Sequence, residues 1–325
     1  MKKLIISFFV FVLLISVFNV GMAQEKDSFE FVFVPKCVHP WYESVKNGAQ
    51  TAVDEFAKRG IEINVKFNAA STCQVTKFVQ TIESTIASNP DGLAIAVLDQ
   101  AAANNVINEA ISRDIMTITF DTDAPESNRL MFVGQYYTED IKMGRRAAET
   151  IAEHIGYEGQ VGILIGSPTA NGHQNRTKGF KEKIAEYEDI EIVTELADED
   201  NLEKAINLTE QAIKAHPDIK AFWAVNATNP YGAAKAIEAM GKEEEIKVVA
   251  TADMPDTIKY IRQGIILEAL CLDPYEMGYW SVYYMWAEEV GHTIPDNHHT
   301  TMRIVTPENI KDNPKYDAPE YYPGD

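Results

Sequence analysis

From Phe29 to Leu272 the chain alternates short β-rich runs with stretches whose apolar residues recur at helical spacing, and this alternation narrows the fold more than any other feature. Phe29-Glu30-Phe31-Val32-Phe33-Val34 reads as a strand. Trp41 to Arg59 follows with Val45, Ala49, Ala52, Val53 and Phe56 at helical spacing and stops at Gly60. The pattern predicts further strands over 61–67, 92–98, 115–120, 161–165, 190–196, 221–225, 246–250 and 266–272, with helices over 75–87, 101–111, 140–155, 174–187, 202–215, 230–240 and 255–262. Strands joined by helices of about 12 residues make right-handed βαβ crossovers, so the sheets are parallel and buried on both faces. About ten strands overfill one compact sheet of this type. The expected fold is therefore α/β, with two doubly wound parallel-sheet lobes divided in the polar stretch Thr122 to Tyr137. A closed (β/α)₈ barrel is the rival. The irregular break after Phe120 and the leftover βα units count against it.

The first residues read as an address. Met1-Lys2-Lys3 gives a positive start, Leu4 to Val20 is almost wholly apolar, and Gly21-Met22-Ala23 is small at −3 and −1. That is a secretory signal peptide over 1–23, cut after Ala23. An uncleaved anchor is the alternative, though the apolar run is short for a span of roughly 20 residues. No cysteine sits at the cut for lipid attachment, so the expected location is periplasmic. Cleavage removes Lys2 and Lys3 and no acid, taking the net charge from −20 to −22. Such a chain repels nucleic acid and anionic lipid, which argues against a nucleic-acid partner.

In open parallel sheets, ligands bind beyond the carboxyl ends of the strands. The first strand delivers Lys36-Cys37-Val38-His39-Pro40-Trp41-Tyr42 to that edge, and the fourth delivers Asp121-Thr122-Asp123. In the second half the corresponding ends give Ser167 through Arg176, Asn226, Asp253 and Cys271-Leu272-Asp273. Asp, Asn and Arg match hydroxyl groups, and Trp and Tyr offer flat faces to a sugar ring. Each residue also has a plainer reading. Asp121, Asn226 and Asp253 could cap the helices that follow, Trp41 could pack the lobe, and Arg176 could lie on a helix surface. Their agreement on one edge favours a binding site.

Enzymatic constellations are poor. Gly162-Ile-Leu-Ile-Gly166 lacks the third glycine of a dinucleotide loop, and there is no P-loop or Gly-x-Ser-x-Gly elbow. His298-His299 reads as a solvated loop, and the remaining histidines lack ligand spacing, so no metal or other cofactor is expected. Cys37 lies just past the first strand and Cys73 just past the second, neighbours in a doubly wound sheet. In an oxidising compartment they are expected to form a disulfide, leaving Cys271 a buried thiol. The proline-bearing tail from Thr306 is expected to lie extended on the surface.

Seven segments in order resemble the type I periplasmic sugar-binding proteins, the group with the ribose-, glucose/galactose- and allose-binding proteins, across essentially the whole mature chain. They are His39-Pro40-Trp41-Tyr42 with Asn47-Gly48-Ala49-Gln50; Asp91-Gly92-Leu93-Ala94-Ile95; Ile118-Thr119-Phe120-Asp121; Arg176-Thr177-Lys178-Gly179-Phe180; Asn226 with Gly232-Ala233; Asp253 with Pro255-Asp256; and Asp273-Pro274-Tyr275-Glu276-Met277-Gly278. The resemblance implies a sugar stacked on Trp41 and Tyr42, with polar contacts from Asp121, Arg176, Asn226 and Asp253; the strand ends add Thr122 and Asp273, and His39 at the pocket mouth, as candidate ligand contacts. It also implies three interlobe crossings, near Gly134-Gln135, Leu272-Asp273 and His299 to Thr301. The lobes would then comprise 29–134 plus 273–299, and 135–272 plus 300–325. Two departures bear on the ligand. Leu272 stands where the family has a polar contact, and Ala197-Asp198-Glu199-Asp200 offers no aromatic from the second lobe.

The expected function is a non-enzymatic solute receptor, acting as a monomer, that closes on a small hydroxylated ligand and delivers it to the permease of an ABC importer. A receptor presenting its ligand to a chemoreceptor or sensor kinase is the alternative from another class.

Overall fold

The computed structural model describes residues 28–135 and 137–311. The expected leader over 1–23 and the tail beyond residue 311 lie outside the described residues. Two six-stranded sheets organise the chain. The first contains β1 (Ser28–Val34), β2 (Glu62–Phe67), β3 (Gly92–Ile95), β4 (Met116–Phe120), β5 (Phe132–Gly134) and β11 (Asn297–His299). Their order is β11-β5-β4-β3-β1-β2, and every neighbouring pair is parallel. The second contains β6 (Gly159–Ile165), β7 (Ile190–Ala197), β8 (Ile219–Ala224), β9 (Lys247–Thr251), β10 (Ile266–Cys271) and β12 (Arg303–Val305). It repeats the same winding as β12-β10-β9-β8-β6-β7, with only β12 antiparallel. The closed barrel is excluded.

The alternation of side chains along the central strands explains the layers. Phe29, Phe31 and Phe33 of β1 pack with the buried residues of α1 (Tyr42–Lys58) and α9 (Pro274–Glu289), while Val32 and Val34 face α2 (Val75–Ala87) and α3 (Gln100–Ser112). In the second sheet Val161, Ile163 and Ile165 pack with α4 (Tyr137–His154) and α5 (Asn171–Ile184). On its other face Leu164, Phe222 and Ala224 pack with α6 (Leu202–Ala215), α7 (Asn229–Ala239) and α8 (Pro255–Arg262). The chain passes between the sheets three times: from β5 into α4, from β10 into α9, and between β11 and β12.

Four elements correct the sequence reading. The stretch holding Phe132–Gly134 carries β5, and Pro274–Glu289 forms a helix whose capping oxygen belongs to Asp273, which accepts from the Glu276 amide at 3.1 Å. His298-His299, expected in a solvated loop, belong to β11, where His298 Nδ1 lies 3.0 Å from the Tyr284 hydroxyl. The tail, expected to be extended from Thr306, instead begins with the single helical turn α10 (Pro307–Ile310), closed by a Thr306–Asn309 capping box.

Each lobe is pinned by a helix pair that touches backbone to backbone. A Cβ on Gly48 of α1 would strike the Tyr275 carbonyl oxygen, and one on Gly278 of α9 would strike that of Val45. The second lobe repeats the device: Gly144 of α4 meets the Arg176 carbonyl, and Gly179 of α5 meets that of Ile141. The Cys37–Cys73 disulfide ties the loop after β1 to the loop after β2, and Cys271 is buried outside any disulfide, its Sγ 3.5 Å from the Ala269 carbonyl oxygen.

Two stability predictions follow from these contacts. Gly278→Ala and Gly144→Ala each force a helix pair apart and should cost about 1–3 kcal/mol by denaturant titration; an unshifted midpoint for both would refute the close approach. Replacing Cys37 and Cys73 together by serine opens a bridge of sequence separation 36 and should cost about 3 kcal/mol, with the sheets retained by circular dichroism.

Candidate functional site

Winding of this order reverses between β1 and β3 in one sheet and between β6 and β8 in the other, and ligand crevices form at such reversals. A cavity lies there, between the two carboxyl edges. It encloses about 500 Å³ of space outside protein atoms, counting the open solvent at its mouth. The first lobe contributes Lys36, Cys37, His39, Trp41, Tyr42, Cys73 and Asp121. The second contributes His173, Arg176, Asp200, Asn226, Ala227, Thr251, Ala252 and Leu272.

The aromatic wall is set by the start of α1. Trp41 and Tyr42 meet edge to face at 5.1 Å between ring centroids. The Tyr42 hydroxyl donates to Asp121 Oδ2 at 3.1 Å, and Lys36 Nζ reaches the same oxygen at 2.8 Å. Burial, reinforced by the Asp121 charge, holds the Tyr42 phenol well above its usual range, so it stays a donor. Asp121 sits at φ +61°, in the left-handed region that a non-glycine residue enters only when its surroundings hold it there. Asp200 (φ +56°) and Ala252 (φ +71°), also on the cavity wall, share that conformation.

On the opposite wall Arg176 donates from Nε to Asp140 Oδ1 at 2.8 Å and from Nη1 to the Val225 carbonyl at 3.1 Å. These bonds fix the guanidinium plane and leave Nη2 with no partner among the described residues. Burial pushes the Asp140 carboxyl up to about 6 against the opposing pull of Arg176. Asn226 has two tasks at once. Its Oδ1 caps α7 by accepting from the Thr228 and Asn229 amides at 3.0 and 2.8 Å, and its Nδ2 donates to Asp200 Oδ1. Asn229 extends this network to Asp198 Oδ2 at 2.9 Å, and burial raises Asp198 to about 7.

Two histidines are held neutral. Burial, then the nearby Lys36 charge, pushes His39 down to about 4. Its Nδ1 accepts from the Trp41 amide at 3.0 Å, which makes Nε2 the protonated nitrogen that donates to Thr228 Oγ1 at 2.8 Å. This bond joins the two lobes across the cleft mouth. His173 is also pushed down, by burial, Lys36 and Arg176; its Nδ1 accepts from the Ser167 amide at 3.0 Å, and its other nitrogen is the donor. Thr251 Oγ1 is buried on the wall with no hydrogen-bond partner among the described residues.

Six of the sequence-proposed residues meet here: His39, Trp41, Tyr42, Asp121, Arg176 and Asn226. Thr122 lines an adjoining chamber instead. Asp253 and Asp273 are gathered elsewhere, at Arg303 of β12, whose guanidinium lies 3.3 Å from Asp253 Oδ2 and 4.0 Å from Asp273 Oδ2. Lys36, His173, Asp200 and Thr251 were not selected from the sequence. Lys36 and His173 stand in strand-end stretches named above without being singled out, Thr251 closes β9 two residues ahead of Asp253, and carrying the strand-end rule to β7 would have found Asp200. Among the described residues no cluster of three or more His, Cys, Asp or Glu is placed to hold a metal ion.

A family model described as a periplasmic binding protein domain matches residues 31–292. The ribose import binding protein of Escherichia coli is 25% identical over 256 residues, spanning 79% of this chain and 82% of that protein. The D-allose-binding periplasmic protein of the same organism is 25% identical over 287 residues, spanning 85% and 91%. Among solved structures, an ABC transporter solute-binding protein from Burkholderia graminis in complex with D-arabinose superposes with a TM-score of 0.82 at 26% identity, covering 89% of this chain and 99% of that one. A glucose-galactose binding protein from Geobacillus stearothermophilus gives 0.79 at 28%, covering 89% and 100%.

The buried Asp198 yields a pH prediction. Its folded-state carboxyl keeps the proton up to about 7, whereas the unfolded one releases it near 4, so between these values folding binds a proton and this group's contribution weakens as pH rises. Asp198→Asn does not titrate. The stability of this variant relative to the parent should therefore climb from about pH 5 to about pH 8, at no more than about 1.4 kcal/mol per pH unit. Thermal melts giving a constant difference across that window would refute it.

Proposed function

Because the chain belongs to the periplasmic binding protein domain family, we propose that it is a solute receptor whose cleft captures a monosaccharide or a similar hydroxylated ligand for delivery to an ABC importer. The observation that carries this reading is the cavity where the carboxyl edges of both sheets face each other, with an aromatic wall on one side and oriented polar groups on the other. The relatives named as ribose- and allose-binding proteins, and the structure solved with D-arabinose, support a sugar as the ligand class.

In this reading the Trp41 and Tyr42 rings cover the apolar face of the sugar. Arg176 Nη2 and the outward nitrogen of His173 donate to its oxygens, and Asp121 and Asp200 accept from its hydroxyls. Thr251 Oγ1 supplies a further polar contact that the protein leaves open. The ligand stabilises closure to the extent that it binds the closed form better than the open one, and the His39–Thr228 bond adds to that form. An exported location is the one expected from the apolar N-terminal stretch read as a leader over 1–23. The polar groups of this cavity serve recognition, and no catalytic step is assigned to them.

A thermal-shift screen over pentoses, hexoses and polyols, followed by titration calorimetry of the hits, tests the proposal, since a ligand of the folded form raises the melting temperature. Arg176→Lys, which keeps the charge beside Asp140 but loses the planar fork, should weaken the best sugar at least tenfold. Thr251→Val keeps the side-chain shape and should weaken it roughly tenfold, about 1.4 kcal/mol, without loss of stability. A panel in which no sugar shifts the melt refutes the function; unchanged isotherms in both variants refute the site.

A further inference from the structure

A second cavity adjoins the first on the side of the interlobe crossings. It encloses about 990 Å³ by the same measure, twice the first, and is lined by groups from both lobes. Asp121 belongs to both cavities. Asp140, in the second, is the carboxylate that receives Arg176 of the first. The partition between them is therefore a hydrogen-bonded ridge. At that ridge stands Gly172, beside both partners: a Cβ there would lie 3.4 Å from Asp140 Oδ2 and 3.5 Å from Arg176 Nη2, ordinary contact distances.

The lining divides by how its polar groups are used. Arg129 and Asp123 form a closed pair, with guanidinium-to-carboxylate contacts of 2.6 and 2.7 Å, and Arg129 also donates to Asn297 Oδ1 at 3.0 Å. They are wall. Gln135 is different: it is 4% exposed, and neither its amide oxygen nor its amide nitrogen has a partner among the described residues. Leaving such a group unsatisfied costs roughly 1–3 kcal/mol per buried donor or acceptor, and a leucine of similar size would avoid that cost. Asn171 and Asn175, one turn apart on α5, are joined by a bond of 3.2 Å from Asn175 Nδ2 to Asn171 Oδ1, which leaves Asn175 Oδ1 to the chamber. Thr122, set on this wall by the strand end that gives Asp121, adds a hydroxyl.

We infer that this chamber is a second sugar subsite, so that the receptor takes a disaccharide or glycoside, one unit against Trp41 and Arg176 and the next among Gln135, Asn175 and Thr122. This rests on the sugar-binding reading of the first cavity and extends it. Planar amides suit the task because each presents a donor and an acceptor side by side to vicinal hydroxyls. Pro125 and Phe132 carry the only apolar side chains in this lining, and the polar groups that alternate around them suit a hydroxylated ring better than a hydrocarbon chain.

Calorimetry on the intact chain tests the inference with D-ribose, D-allose, D-galactose and D-glucose on one side and maltose, cellobiose, lactose and melibiose on the other. At least one disaccharide should bind tenfold or more tightly than each of the four monosaccharides. Gln135→Leu and Asn175→Leu should each remove that gain while leaving the dissociation constant of the best monosaccharide within twofold. Gln135→Leu should also raise the melting temperature of the ligand-free protein, which a residue serving only the fold would not do. Monosaccharide binding without any disaccharide gain overturns the inference and leaves the receptor function standing, as does a gain that survives both substitutions. Silence from all eight sugars overturns the receptor function and this subsite with it.

Discussion

A parallel sheet covered on both faces has nowhere to put polar chemistry except along its ends, and this constraint organises the molecule. The central strands of each sheet carry Val, Ile, Leu, Phe and Ala that approach zero exposure, whereas the edge strands β2 and β7 are partly exposed, so most charges fall on the edges and on the loops that follow the central strands. With two sheets wound identically, those loops can meet. The charges then need not face solvent or stand alone in protein. Lys36 closes on Asp121 within one lobe, and Arg176 on Asp140 within the other. Each pair is more than nine-tenths buried by side chain or close to it, an arrangement that is costly unless the partners are held in good geometry. Holding that geometry is the work of the rigid layers behind.

The backbone at the edge carries the same message. Asp121, Asp200 and Ala252 lie in the left-handed region although none is glycine, and all three line the cavity. A conformation costing of order 1–3 kcal/mol survives only where the surroundings impose it. At Asp121 the imposing contacts are Lys36, the Tyr42 hydroxyl, and a bond from its own amide to the Val133 carbonyl at 3.1 Å. The carboxylate is consequently delivered into the cleft at a fixed angle rather than sampled from a flexible loop.

Much of this was legible in the sequence, for identifiable reasons. Central strands such as β1 and β8 carry apolar runs of four residues (31–34 and 221–224), and helices such as α2, α6 and α8 carry one-sided stripes, so both could be read from the pattern. The strands β5, β11 and β12 span three residues each, too few for any period, and Asn297-His298-His299 has no β character. Their positions are dictated by hydrogen bonds to strands already in place. Helix α9 was missed for the opposite reason: Tyr275, Tyr279, Trp280, Tyr283, Tyr284 and Trp286 surround it with large rings and leave no polar stripe. The same gap hid the ion-pair partner of two proposed site residues. Asp253 follows the end of β9 as the strand-end rule requires, but it pairs with Arg303, on a strand the sequence did not reveal.

Why Asp253 and Asp273 converge on Arg303 can be argued from the crossings. Asp273 caps α9 where the chain leaves β10 for the first lobe, and Arg303 stands where the chain returns to the second sheet as β12. A carboxylate on each side of one guanidinium thus links two of the three crossings through charge, in addition to the backbone ladder between β10 and β12. Arg303 is partly exposed, which lowers the cost of holding the cation there. These carboxylates lie where the lobes are joined, behind the wall formed by Thr251, Ala252 and Leu272. Substitution of Asp253 would therefore reach the ligand by altering how the crossing is braced, whereas substitution of Thr251 would remove a contact directly. The strand end after β9 thus serves both the cavity and the joint that closes over it.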